Sequence, residues 1–342
     1  MEIKSFEECV NEVSTGKKHL MLGNGFSISL FPNIFNYSKL KDAAYKNGLR
    51  PLFEKFNTND YEFVMRKILD VKLVLSFFEN EDVSLKQELD QIYKNLSDTL
   101  IETLADSHPD NPSFITEEQY NSCYKFLNRF DGGKIYTFNY DLLLYWVFMH
   151  FKDNQEINFP CDDGFRSSKE DIDSIVWEIG AEHNQSLYYI HGALHIASDH
   201  HTIEKYVWRN KTIIEQVREN LDCNKLPLFV CEGRCNHKKE RIHGNGYLAR
   251  SFASLKSISG SLYIFGHSIR DEDDHVFDLI LNRNTSLKNI YVGIYDDFNS
   301  DNNKKIIEKL ERWENAQSNL PEKKQKKIVV YQSADVNVWN NY

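Results

Sequence analysis

The chain has 342 residues, 41% of them hydrophobic, with 22 Phe, 18 Tyr and 5 Trp; this supplies a sizeable core and excludes general disorder. A formal net charge of −10 argues against bulk electrostatic binding of nucleic acid or anionic lipid, which needs clustered Lys and Arg; Arg234, Lys238, Lys239, Arg241 and Arg250 form one local basic cluster. No apolar run approaches the roughly 20 residues that span a bilayer, Met1-Glu-Ile-Lys4 lacks a leader profile, and six sparse cysteines fit a reducing compartment, so a cytoplasmic protein without membrane contact is expected.

The first predicted strand, His19–Leu22, runs into Gly23-Asn24-Gly25-Phe26-Ser27. Glycines at a strand–helix turn let the backbone approach a pyrophosphate, and the following helix N-terminus offers N–H groups to the anion. Residues 37–130 carry few strand signals. Amphipathic patterns at Leu52–Phe56, Tyr61–Phe78, Leu85–Leu104 and Glu117–Phe130 predict a large helical insertion or lid, too long for a loop. Strand Lys134–Phe138 then leads to Asn139 and Asp141 before a helix over Leu142–Phe148. A polar region over residues 151–186, with Pro160 and Gly164, is expected to flank the cleft. Further strands are predicted at Leu187–His191, Leu226–Cys231, Ser261–Phe265, Asn289–Tyr295 and Lys327–Tyr331. Helices over Tyr247–Ser257, Asp274–Leu281 and Lys304–Ala316 separate the last four. Several strands are continuous apolar runs, as buried parallel strands are. The alternation predicts an α/β fold with a Rossmann-type, mostly parallel sheet, its core formed by residues 1–36 and 131–342.

Open parallel sheets bind ligands beyond the carboxyl ends of their strands. Asn139 and Asp141 lie there, an amide and a carboxylate able to hold a polar ligand and a water; the same residues would also serve as an ordinary helix cap. His191 closes its strand beside Gly192 and suits a general base, or a half-buried structural histidine. His195 falls on the neighbouring face of that segment. Gly266-His267-Ser268 forms a second glycine-containing junction, a candidate anion or ribose contact, or a tight turn before the acidic stretch Asp271–Asp274. Asp296, after its strand, is a candidate ribose ligand. Cys223, Cys231, Cys235, His237 and His243 cluster in sequence but lack the paired short spacings of structural zinc sites, so no metal is expected.

The ordered set Leu22-Gly-Asn-Gly-Phe-Ser27, Phe138-Asn-Tyr-Asp-Leu-Leu143, Tyr189-Ile-His-Gly-Ala-Leu194 and Ile264-Phe-Gly-His-Ser268 resembles the sirtuin superfamily, and more closely the bacterial sirtuin-like proteins of anti-phage defence. The resemblance implies NAD in a cleft at the carboxyl edge of the sheet and cleavage of the nicotinamide–ribose bond. By that likeness Gly23, Asn24, Gly25, Phe26 and Ser27 line the pyrophosphate and ribose, and Asn139 positions the attacking water or the nicotinamide ribose. Asp141 then holds the nicotinamide end, His191 is the base on a ribose hydroxyl, and Gly266, His267, Ser268 and Asp296 lie toward the adenosine. The chain departs from protein-deacylating sirtuins after the first glycine motif, which continues Ile28-Ser-Leu-Phe-Pro-Asn33 without arginine, and in its cysteine spacing. With no peptide groove implied, water is the expected acceptor. The expectation is an NAD glycohydrolase that releases ADP-ribose or a cyclic isomer and depletes NAD when triggered. Such an effector is expected to form a homo-oligomer and to act with an ATPase or nucleic-acid-sensing partner. The alternative expectation is a non-catalytic NAD or ADP-ribose sensor within a larger complex.

Overall fold

The computed structural model describes residues 3–13, 16–35, 48–58, 61–78, 83–152, 161–169, 174–180, 184–198, 202–223, 225–231 and 235–340. Tyr37, Pro160 and Arg234 of the sequence reading lie outside these residues.

Seven strands form the main sheet: β1 (Ile3–Ser5), β2 (Lys18–Leu22), β3 (Ile135–Thr137), β6 (Leu187–Tyr189), β10 (Gly260–Phe265), β11 (Leu287–Ile294) and β12 (Lys327–Gln332). Their order is β1-β12-β11-β10-β2-β3-β6, and every neighbouring pair is parallel. The strands are apolar on both faces because both faces are covered: His19 to Leu22 and Ser261 to Phe265 are buried throughout. Helices α1 (Phe6–Glu12), α6 (Glu117–Asn128), α7 (Leu143–Lys152), α10 (Gly246–Ser257) and α12 (Asp301–Ser318) flank the strands. Local sequence starts several of them. Ser5 with Glu8, and Thr116 with Gln119, form reciprocal capping boxes at α1 and α6.

From β2 the chain proceeds outward to β3 and β6; from β10 it proceeds the other way to β11 and β12. The reversal places a switch-point crevice between the carboxyl ends of β2 and β10, the usual ligand position in such sheets.

Between β2 and β3 lie α2 (Gly25–Ile28), α3 (Arg50–Lys55), α4 (Tyr61–Leu75), α5 (Val83–Ser107) and α6. Helices α3, α4 and α5 bury a core of their own, built from Phe53, Tyr61, Met65, Ile68, Leu96 and Leu100 with Cys231 against it. The Arg66–Glu272 ion pair ties α4 to the loop after β10.

A second, five-stranded sheet contains β4 (Phe165–Ser167), β5 (Ile175–Trp177), β7 (Gly192–Ser198), β8 (Ile203–Lys205) and β9 (Pro227–Phe229), in the order β4-β5-β8-β7-β9. All its pairs are antiparallel. This corrects two expectations. The apolar run Leu226–Cys231 supplies β9 of this sheet rather than a parallel core strand, and residues 151–186 contribute two strands to it rather than only a polar flank. A short, wholly buried run has no period to report the direction of its neighbour. Among the described residues, no helix is long and apolar enough to cross a membrane.

Candidate functional site

The carboxyl ends of four adjacent strands, β10, β2, β3 and β6, present Gly266, Gly23, Asn139 and His191 side by side. Two glycine loops close the crevice between β2 and β10. The Gly23 N–H donates to the Phe265 carbonyl at 2.9 Å and the Gly25 N–H to the Gly266 carbonyl at 2.8 Å. A Cβ on Gly25 would lie 2.6 Å from Gly266 Cα, and one on Gly23 equally close to the Gly266 carbonyl oxygen. Gly266 itself has φ +66°, a conformation that side chains resist. The glycines therefore serve backbone-to-backbone packing of one loop on the other.

This differs from the expected phosphate cradle. The Phe26 N–H donates to the Gly23 carbonyl at 3.0 Å and the Ser27 N–H to the Asn24 carbonyl at 3.0 Å. Helix α2 has only 4 residues; the Gly25 N–H goes to Gly266, and those of Phe26, Ser27 and Ile28 are consumed within the turn. Phe26 is core: its ring packs on Trp339 at 4.8 Å, and Trp339 Nε1–H donates to the Phe26 carbonyl at 2.9 Å. Asn24 Nδ2 donates to the Phe35 carbonyl at 3.0 Å. Ser268 is exposed, and Asp296, exposed at φ +64° after β11, stands two strands from β2.

Behind the loop, Ser27 joins the two candidate polar residues of β3. Asn139 Nδ2 donates to Ser27 Oγ at 2.8 Å, and Ser27 Oγ donates to Asp141 Oδ2 at 2.5 Å. The Leu143 N–H donates to Asp141 Oδ1 at 2.9 Å, so Asp141 also caps the start of α7. The Leu142 N–H donates to His108 Nε2 at 3.0 Å. All three members of the chain are buried. Burial pushes the Asp141 carboxyl up from 3.8 to about 6, against the opposing bonds from Ser27 and Leu143.

A second cluster surrounds His191, at the corner where the chain leaves β6 for β7. Gly192 makes that corner at φ +84°; a Cβ there would lie 1.9 Å from the Leu228 carbonyl oxygen. His191 Nε2 lies 3.2 Å from His275 Nε2 on α11 (Asp274–Asp278) and 3.8 Å from Asp273 Oδ1. Lys238 Nζ, on α9 (Cys235–His243), sits 3.0 Å from the same Oδ1. His267 Nδ1 accepts the Ile269 N–H at 2.8 Å, which leaves its proton on Nε2, 3.2 Å from Asp273 Oδ2. Burial, and next the Lys238 charge, hold His191 well below the usual histidine range. Burial alone would raise Asp273, but the Lys238 charge and the His267 hydrogen bond outweigh it and hold the carboxyl well below its usual range. The Phe138 ring packs against both His191, at 4.8 Å, and His267, at 4.2 Å, and so divides this cluster from Asn139.

Three partners of His191 escaped the sequence reading. Asp273 read as one acid of a helix start, Lys238 as part of a basic surface cluster, and His275 not at all. Lys238 is fully buried, while Arg241 and Arg250 are exposed, so that cluster is not one surface. The signal for His275 was its position nine residues after the strand-end Gly266, directly behind the four acids Asp271 to Asp274. His195 lies in β7, stacked on Tyr145 at 4.4 Å, and both its ring nitrogens lack a hydrogen-bond partner among the described residues. The cysteines part company: Cys231 Sγ faces Ser97 Oγ at 3.4 Å, and Cys235 Sγ faces the Asp271 carbonyl at 3.0 Å.

Two fixed polar sets thus share one strand edge: an amide–hydroxyl–carboxyl chain, and a neutral imidazole beside a paired carboxylate. No curated protein matches the chain. The chain matches, over residues 20–339, the family described as Domain of unknown function (DUF4917), and it belongs to that family.

Proposed function

We propose that this protein is an NAD glycohydrolase that cleaves the nicotinamide–ribose bond, with water as acceptor. One observation carries the reading: the Ser27–Asn139–Asp141 chain and His191 both stand at the carboxyl edge of an all-parallel sheet, on strands that follow its switch point. The Asn139 amide and Asp141 carboxyl are fixed by Ser27 before any ligand arrives, as stabilisation of developing positive charge on a sugar requires. His191, kept uncharged by its surroundings, accepts the proton released as a hydroxyl or water attacks. Closed glycine loops and buried polar groups fit an enzyme that is latent at rest, as a host that must keep its NAD requires. Opening the loops by oligomerisation or by a triggering partner in a defence setting would free the N–H groups for a pyrophosphate. A second reading is a sensor that binds NAD or ADP-ribose at the same loops without turnover.

The test is NAD turnover by purified protein, with nicotinamide and ADP-ribose followed by chromatography. Asn139→Ala and His191→Ala are each expected to lower kcat by about 10²–10³-fold. Wild-type rates in either variant remove that residue from the mechanism. Saturable NAD binding with no product, in both resting and infected-cell extracts, selects the sensor.

A further inference from the structure

We propose that His191, His275 and Asp273 form a site for a borderline divalent transition-metal ion such as Zn²⁺. Occupation would withdraw His191 from the chemistry proposed above. The ligating atoms of these residues, drawn from the end of β6, the turn after β10 and the start of α11, all lie within 4.8 Å of one another. The tightest pair has the spacing such an ion needs. Two nitrogens bound to one tetrahedral Zn²⁺ at about 2.0–2.1 Å stand roughly 3.3–3.4 Å apart, and His191 Nε2 and His275 Nε2 are 3.2 Å apart. A second edge runs 3.8 Å from His191 Nε2 to Asp273 Oδ1, and with all three ligand atoms within 4.8 Å of one another the face closes on an ion as the Asp273 carboxylate draws in.

The donor set selects the ion. Two imidazoles and one carboxylate suit Zn²⁺, Cu²⁺, Ni²⁺ or Fe²⁺; Mg²⁺ and Ca²⁺ take oxygen shells. Three protein ligands leave a fourth position for water, the pattern of an exchangeable rather than a closed structural site. The outer shell is also present. His267 Nε2 holds the far oxygen of Asp273 at 3.2 Å and orients the carboxylate, as partners of metal ligands do. Lys238 opposes the ion. Its buried ammonium is 3.0 Å from Asp273 Oδ1, so a dication and Lys238 compete for one carboxylate, and affinity is moderate and rises when that charge is removed.

The binding measurement is independent of the NAD reading. Untagged full-length protein, cleared of metal, is titrated with Zn²⁺ by calorimetry and with Co²⁺ by visible absorption. One equivalent is expected, with Co²⁺ giving the strong bands of low-coordinate geometry. His275→Ala and His191→Ala are expected to weaken binding by at least about 100-fold, whereas His243→Ala, an exposed histidine, leaves it unchanged. Lys238→Met is expected to tighten it by about tenfold. Circular dichroism of each variant separates lost binding from lost fold. Absence of binding in both wild type and Lys238→Met overturns the site, as does binding that survives in His275→Ala. If the protein turns over NAD, Zn²⁺ inhibits the wild type and leaves His275→Ala uninhibited; turnover that ignores bound Zn²⁺ rejects the inhibitory role alone.

Discussion

The two polar clusters at the strand edge solve the burial of charge in opposite ways. In the Ser27–Asn139–Asp141 chain the carboxyl is surrounded by neutral donors, and its environment favours the protonated acid, up at about 6. In the His191 cluster the carboxylate of Asp273 meets a buried lysine, and its environment favours the anion. The first arrangement is built from residues close to two strand ends. The second gathers β6, α9, the turn after β10 and α11 around one carboxylate. A carboxyl held by neutral donors loses about 1–3 kcal/mol when one of them goes, whereas a buried ion pair that loses one partner costs more, because a buried charge is left behind.

The largest effect follows from that difference. Asp273→Ala removes the carboxylate 3.0 Å from the fully buried Lys238 ammonium, and is expected to cost about 3–5 kcal/mol in denaturant unfolding. Adding Lys238→Met should restore much of the loss, because it removes the buried ammonium whose carboxylate has gone. A double variant no more stable than the single one would mean that Asp273 acts through packing alone.

The second effect is one of pH. Asp141 has a folded-state value near 6 against an ordinary 3.8. The native state therefore binds the extra proton, and stability falls as pH rises through that window and stays lower above it. Asp141→Asn is free of this cost. Relative to wild type it should gain stability between pH 4 and 7, by at most about 3 kcal/mol. The histidines run the other way. His191 lies well below its ordinary 6.5, and His275 is lowered to about 3, chiefly by burial. Their contribution is whole above 6.5 and is lost as pH falls below it, where the unfolded chain takes up protons that the native state refuses. Urea midpoints between pH 4 and 8 should thus bend oppositely in Asp141→Asn and His275→Gln. Parallel profiles would erase the contrast between the clusters.

The same contrast explains what the sequence could convey. Leu22-Gly23, Phe138-Asn139, Ile190-His191 and Phe265-Gly266 each mark a strand end by an apolar run meeting a polar or glycine residue, and the structure sets all four on adjacent strands. That placement follows from a parallel sheet, so the α/β fold and its carboxyl edge were legible. What was not legible is pairing. Nothing local in Lys238, set among Lys239 and Arg241, says that it alone turns inward. Asp273 looks like any acid at a helix start until β6 and β10 bring His191 and His267 beside it. The second sheet was missed for a related reason: Phe165–Ser167 and Ile203–Lys205 are 3-residue strands, too short to show a period. Gly23 and Gly25 were read for their freedom toward a ligand, whereas here they are needed because Gly266 lies against them.

A smaller change probes the Ser27 chain directly. Ser27→Ala removes the acceptor of the Asn139 amide and the donor to Asp141 at once. A loss of about 1–2 kcal/mol is expected, far short of the Asp273→Ala effect. It should also relax the Asn139 side chain, visible as altered amide resonances. A loss as large as that of Asp273→Ala would place the two clusters in one class.

The smallest effect tests whether the helical layer acts on the His191 cluster. Arg66 on α4 pairs with Glu272, the residue next to Asp273, and both side chains are partly exposed. Ion pairs of this kind contribute up to about 1 kcal/mol, so Arg66→Gln should barely move the unfolding midpoint. Its local consequence should be larger than its global one. The turn Asp271–Asp273 is a single short 3₁₀ segment, held to α4 by this pair, to α9 by Lys238 and to α12 by Lys309. Releasing the first hold should speed amide hydrogen exchange in residues 271–275 while leaving the buried strand β10 unchanged. Faster exchange confined to that turn makes α4 a lever on the carboxylate that faces His191. Unchanged exchange there makes the helices between β2 and β3 a cover that rests on the site without gripping it.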